Sequence, residues 1–142
     1  MSLYNVFDLA GSGMRAQTLR LNATSSNLAN AGNVANNPED VYRAKHPVFA
    51  AMMMNDTDSL SFDSTSPTGV QVLDIVESDA PALKRYQPDH PMADEEGYTY
   101  ASNVNAIEEM VDMLSAARSY QNNIEVLNTT KELLLGTLRI GQ

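Results

Sequence analysis

The 142-residue sequence predicts an α+β protein: long antiparallel N- and C-terminal helices form a coiled-coil-like inner domain, and a small β-rich middle domain is carried between them. Three observations lead there. Residues 3 to 31 and 103 to 138 both place apolar side chains at alternating steps of four and three, the 3.5-residue mean that keeps one seam facing a partner helix. All six prolines fall between those stretches. The charge divides the same way, with net +1 over 1–31, −8 over 32–102 and −2 over 103–142. The expected organisation is therefore a helical unit of 1–31 with 103–142, and a solvated, acidic outer unit of 32–102.

The first helix takes its seam from Leu3, Phe7, Ala10, Met14, Gln17, Leu21, Thr24, Leu28 and Ala31. Gly11 and Gly13 each weaken it by about 1 kcal/mol relative to Ala, and read as close helix approach, as a terminus that orders only with partners, or as a short break near the end. Gln17 and Thr24 here, and Lys131 on the last helix, are polar seam positions that either fix register at a cost in stability or point partly to water. The helix should end near Ala31, where Gly32 can take the left-handed position and Asn33, Asn36, Asn37 and Pro38 follow. Thr24 to Asn30 is rich in small and amide residues, which suit a helix end by satisfying its orphan carbonyls.

In the middle, Val41 to Phe49 reads as extended but interrupted by Pro47. Gly69 to Glu77 is the strongest strand, with Val70, Val72, Asp74 and Val76 on one face, and Leu83 to Tyr86 and Gly97 to Ala101 are shorter ones. Asn55 to Thr68 reads as a loop, and Met52-Met53-Met54 as a strand end tucked into the small unit. His90 lies beside Asp94, Glu95 and Glu96, but with only one other histidine in the chain this is a solvated acidic loop rather than a metal site. So much loop makes a thin core, and this region should lean on the helices.

The last helix has an N-cap in Asn105 with Glu108 placed for a capping box. Its seam follows Ala106, Met110, Met113, Ala117, Tyr120, Ile124, Leu127, Lys131, Leu134 and Leu138, widened early by Ile107, Val111 and Leu114, and it should stop near Gly141. At 1.5 Å per residue the two helices run roughly 40 and 50 Å, too long to fold into a compact globule.

Composition narrows function. A pI near 4.4 without a basic block argues against nucleic acid, and no apolar run is long enough for direct membrane insertion. The absence of cysteine removes disulfide and thiolate chemistry. Met1 to Ala10 lacks the pattern of a secretory signal, so export would need a route without a cleaved peptide. No phosphate loop or nucleophile elbow appears, and no enzyme activity, catalytic residue, cofactor or metal is expected. Adhesive termini point to assembly; a monomeric binding module built around its own helix pair is the bland alternative.

Asn27-Leu28-Ala29-Asn30 after Leu19-Arg20-Leu21-Asn22, with Asn103-Val104-Asn105 running into Glu108-Glu109-Met110-Val111 and then Ala117-Arg118-Ser119-Tyr120-Gln121, resembles the terminal signatures of bacterial flagellar axial proteins, the rod and hook family. Leu3-Tyr4-Asn5-Val6-Phe7-Asp8, Tyr42-Arg43-Ala44-Lys45 and His90-Pro91-Met92-Ala93-Asp94 with Gly97-Tyr98 narrow the resemblance to the proximal-rod type. Asn123 departs from the small residue expected there, and Ala50 to Ser66 has no counterpart. The resemblance implies a structural subunit of the basal-body proximal rod, exported unfolded through the flagellar type III apparatus and polymerised in the periplasm. The terminal helices would surround the export channel, the middle would face outward, and the rod would carry torque from rotor to hook. Implied partners are further copies of itself, other proximal and distal rod subunits, the rotor-ring/rod adaptor and export-gate components. A sibling axial protein, or a type III secretion needle or inner-rod component, is the alternative. The expected assembly interface comprises Leu21, Asn27, Leu28 and Asn30 on the first helix, and Asn103, Asn105, Met110, Leu114, Tyr120, Ile124 and Leu127 at and along the second.

Overall fold

The computed structural model describes residues 3–53 and 67–140. The chain runs α1 (Leu3–Asn30), β1 (Val34–Ala35), β2 (Lys45–Met53), β3 (Pro67–Glu77), β4 (Leu83–Tyr86), β5 (Tyr98–Ala101) and α2 (Ala106–Ile140). β2 and β3 form an antiparallel hairpin; β1, β5 and β4 form a three-stranded antiparallel sheet in that order. The helices pack antiparallel, since Gly13 meets Asn123, Arg20 meets Asp112 and Asn27 meets Glu109.

α1 is continuous through both glycines. At Gly13 a Cβ would lie 2.9 Å from Asn123 Nδ2, so this glycine permits close approach, whereas Gly11 faces open space. The helix end corrects the expectation for Gly32, which does not adopt a positive φ; among the described residues only Gly97 does, at +82°. The last turn closes instead through Ala31 N–H to Leu28 O and Asn33 N–H to Asn30 O, at 3.3 and 3.0 Å. The chain then enters β1 at once, with Val34 opposite Ala101. A two-residue strand is too short to show alternation, which is why the sequence does not announce it.

β2 begins four residues later than the pattern predicts and accommodates Pro47, because both members of a two-stranded sheet are edge strands and need not donate on their outer side. β3, β4 and β5 lie close to where they are expected. The even alternation read for β3 fails at one point: Val48 pairs with Asp74 and Phe49 with Val72, leaving Leu73 as a bulge. Of the loop expected at 55–68, residues 55–66 lie outside the described residues, as do Met54 and Gly141; 67 and 68 begin β3.

The hairpin leans on α1. Ser12 Oγ donates to Leu9 O at 2.8 Å and accepts the Val70 N–H at 3.1 Å, and a Cβ on Gly69 would lie 2.7 Å from that oxygen. Fifteen residues along α1, Asn27 binds the backbone of Lys45 at the start of β2. Those fifteen helical residues span about 22 Å and the strand from Lys45 to Met52, which pairs with Gly69, about 23 Å, so hairpin and helix match in length. The fully buried apolar side chains are small: alanines 10, 16, 23, 35, 44, 101 and 116, with Val41 and Val104.

Candidate functional site

The junction of α1, β2 and α2 is built around Asn27, whose side chain is completely buried. Its Nδ2 donates to Lys45 O and to Glu109 Oε1, each at 3.0 Å. Its Oδ1 accepts from the Tyr42 hydroxyl at 2.9 Å and from Lys45 N–H at 2.8 Å. Two donors and two acceptors are all that an amide side chain has, so Asn27 is saturated within the chain. Since the Tyr42 proton is committed to Asn27, the 3.0 Å contact between Tyr42 and Ser26 has the serine hydroxyl as donor. Glu109 is 5% exposed; its Oε1 takes the Asn27 bond, and its Oε2 is buried without a partner.

Two further asparagines close the same junction. Asn103 accepts from Ala44 N–H and donates to Ala80 O, both at 2.9 Å. Asn105 caps α2, accepting the Ile107 N–H at 3.1 Å on its side chain and the Glu109 N–H at 3.0 Å on its carbonyl. Asn30 stands apart, its amide folded back onto Ser26 O at 2.8 Å. Farther along the helix pair, Arg20 and Asp112 form a 2.7 Å ion pair.

The seam of α2 differs from the one its hydrophobicity marks. Buried and half-buried positions include Glu109, Met113, Ala116, Tyr120, Asn123, Leu127, Thr130 and Leu134. The four-three spacing is kept, but every second position slips back by one, so that Glu109, Ala116, Asn123 and Thr130 stand where Met110, Ala117, Ile124 and Lys131 are predicted. The physical reason is steric: Gly13, Ala16 and Ala23 on α1 with Ala116 on α2 let the backbones approach. Met113, Tyr120, Leu127 and Leu134 stay half-buried on the seam, while other large apolar side chains turn away from α1. Ile107 is 73% exposed, Met110 53% and Leu114 55%, with Val111, Ile124, Val126, Leu133, Leu135 and Leu138 also exposed. Leu21, Leu28, Tyr120 and Leu127 are half-buried. Beside the pair an open groove of about 500 Å³ is lined by Gly11, Met14, Arg15, Thr18, Leu19, Asn22 and Tyr120. Elsewhere on α1, Gln17 keeps its Oε1 buried without a partner.

The loop around His90 is held by its own side chains. His90 Nδ1 accepts the Met92 N–H at 3.1 Å; Asp94 Oδ1 accepts from Glu96 and Tyr98 N–H at 2.9 and 2.8 Å. The Tyr98 N–H above all holds the Asp94 carboxyl below its ordinary pKa, with further help from Glu96, Lys84 and Tyr100 against some desolvation. Among the described residues no cluster of His, Asp and Glu is placed to hold a metal ion, and no described helix is long and apolar enough to cross a membrane.

Sequence reasoning missed Tyr42 and Glu109 as members of the Asn27 hub, Ser12 and Gly69 as the hairpin lock, and Ala116 as the centre of the seam. Tyr42 stood inside a quoted motif, but nothing in that motif says where its hydroxyl goes. Glu109 is indistinguishable from Glu108 until the helix is turned toward α1.

The pattern of the family described as "Flagellar basal body rod FlgEFG protein C-terminal" matches residues 95–140, which hold β5 and α2. Over 142 residues, all of both chains, the sequence is 46% identical to the flagellar basal-body rod protein FlgC of Salmonella typhimurium (strain LT2) and 45% identical to that of Escherichia coli O6:H1 (strain CFT073). The FlgC of Yersinia enterocolitica is 46% identical over 144 residues, again covering all of both. Likeness along the entire length disfavours the alternative of a sibling axial protein or a secretion-needle component. The chain belongs to the FlgC family of flagellar basal-body rod proteins.

Proposed function

We propose that the chain is a structural subunit of the proximal rod, polymerising through its terminal helices into the periplasmic shaft that carries torque from rotor to hook and surrounds the export channel. One observation carries this reading: the residues that α2 buries fully are small or polar, Glu109, Ala116 and Thr130, while a face of large apolar residues, Ile107, Met110, Val111 and Leu114, stays exposed. Covering Ile107, Met110, Val111 and Leu114 would stabilise an assembly by roughly 1.5–3 kcal/mol per side chain. The near-neutral helices can meet one another without strong repulsion, while the acidic middle stays solvated on the outside.

In this reading α1 and α2 form the coiled-coil-like inner domain (1–31 with 103–142), and 32–102 is the outer domain. Leu21, Leu28, Asn30, Met110, Leu114, Tyr120, Ile124 and Leu127 supply the interface. Asn27, Asn103 and Asn105 serve it from inside, by fixing the angle at which α2 leaves the junction. The work is mechanical rather than catalytic. Copies of the chain, other rod subunits, the rotor-ring/rod adaptor and export-gate components are the neighbours. A core of alanines suits a chain that crosses the type III apparatus unfolded and without a cleaved signal, because little tertiary structure resists its passage.

The test is complementation of a rod-deficient strain with Leu114→Asp. Expression and helicity of the purified chain should be unchanged, while motility and rods in isolated basal bodies should be lost. Normal swimming of that strain would sink the proposal.

A further inference from the structure

Glu109 and Met110 are both placed against their chemistry. Glu109 is 5% exposed; its side chain has one bond, Oε1 accepting from Asn27 Nδ2, and among the described residues it has no ion pair and no partner for Oε2. Burying a carboxylate this poorly satisfied costs stability. Met110, the next residue, is 53% exposed, so the isolated chain forgoes the gain of covering it. Exchanging the two would favour the isolated chain on both counts.

Two seams compete at the start of α2. The apolar one runs through Ala106, Met110 and Met113, and the observed one through Glu109, Met113 and Ala116. Neighbouring helical positions stand about 100° apart, so with Met113 common to both seams a roll of about 50° brings Met110 to Asn27 in place of Glu109. In the middle of the pair, Gly13, Ala16 and Ala23 with Ala116 hold the helices close. At the first turn the residue facing α2 is Asn27, and the choice there is chemical. Tyr42 and the Lys45 N–H occupy its Oδ1, and Lys45 O takes one Nδ2 hydrogen, so the second hydrogen needs an acceptor from α2. Glu109 supplies a carboxylate oxygen, whereas Met110 has only a weakly accepting thioether.

We propose that Glu109 is a specificity-determining residue for assembly. By accepting the last hydrogen of Asn27, it locks the first turns of α2 in the roll that keeps Met110 beside Ile107, Val111 and Leu114 on the outer face. Fixing one arrangement at a cost in stability is the best-attested use of a polar residue on a seam. The arrangement excluded here is the one in which the chain covers its own apolar stripe and draws Met110 out of that face. The inference rests on the rod-subunit reading and adds the residue that keeps the subunit from closing on itself.

The chain has no cysteine, so introduced thiols report without background. The purified full chain is labelled with a maleimide under native conditions. Met110→Cys combined with Glu109→Ala should react about tenfold more slowly than Met110→Cys alone, because the roll buries position 110. Glu109→Cys removes the lock and reports on it at once: although position 109 is buried in the native roll, its thiol should react about as fast as that of Met110→Cys alone. Loosening or unfolding would speed both sites, so opposite directions identify a roll. Glu109→Gln keeps an acceptor for Asn27 without the charge, and with it Met110→Cys should label as in its parent. In a strain lacking the native protein, Glu109→Ala should abolish swimming and Glu109→Gln should restore it. Labelling of Met110→Cys that is unchanged or faster with Glu109→Ala would overturn the lock. Labelling as expected, in cells that nonetheless swim with Glu109→Ala, would uphold the lock and count against the outer face as the rod-forming surface.

Discussion

α1 and α2 carry apolar stripes of similar spacing, yet they are covered in opposite ways. α1 is enclosed by its own chain, with α2 and the β2–β3 hairpin packed against it. Ala10, Ser12, Ala16, Ala23, Thr24 and Asn27 are buried along its length. α2 has α1 as its one packing helix among the described elements and buries fully only Glu109, Ala116 and Thr130. Hydrophobic periodicity says that a helix face needs cover; it does not say whether the cover comes from the same chain. Here the enclosed helix is chosen by small residues, and the other keeps large apolar side chains exposed.

The sharpest way to break the comparison is at the point where the two helices share one side chain. Asn27→Leu removes four hydrogen bonds and strands the Lys45 backbone, the Tyr42 hydroxyl and the Glu109 carboxylate in a buried place. The expected loss is about 3–5 kcal/mol, read as a lower urea midpoint at constant slope. The next comparison separates the two faces of α2. Ala116→Leu overfills the seam at a site with no exposure and should cost about 1–3 kcal/mol, while Leu114→Ala, two residues away, should change the stability of the isolated chain by less than about 0.5 kcal/mol. Equal effects from both would mean that α2 is covered on both sides already.

A smaller effect, away from both helices, provides the control. Folding lowers the pKa of Asp94, so its bonds to Glu96 and Tyr98 are fully present above the ordinary aspartate range and are lost as pH falls through the lower folded value. The protection factors of those two amides, corrected for the intrinsic rate, should fall on acidification below that range, while Asp94→Asn should make them independent of pH. Protection of the helix pair at mid-α1 should not follow Asp94.

The parts of this fold legible in the sequence are those decided locally. Asn105 announces the start of α2 because a cap acts on the next turn, and β3, β4 and β5 follow from alternation between turn residues. The parts that were not legible depend on who approaches whom. The one-residue slip of the α2 seam is set by Gly13, Ala16, Ala23 and Ala116, residues with no hydrophobic signature of their own. Leu73 became a bulge through register with β2, not through anything in β3. Asn27 was recognisable as a motif residue, but its role rests on partners 15, 18 and 82 positions away in the chain. The apolar character of Met110, Leu114 and Ile124 says that they need cover but not on which side, and the structure leaves all three exposed.

The legs of the helical hairpin are unequal, 28 residues against 35. A stack of blunt-ended pieces can shear along every flat joint, because no covalent chain crosses the plane between one piece and the next. In the assembly proposed above, unequal legs would behave like boards laid in a lapped floor, the longer one bridging the joint beside it. Stiffness in torsion would then be a matter of overlap length rather than of adhesive strength at any single plane.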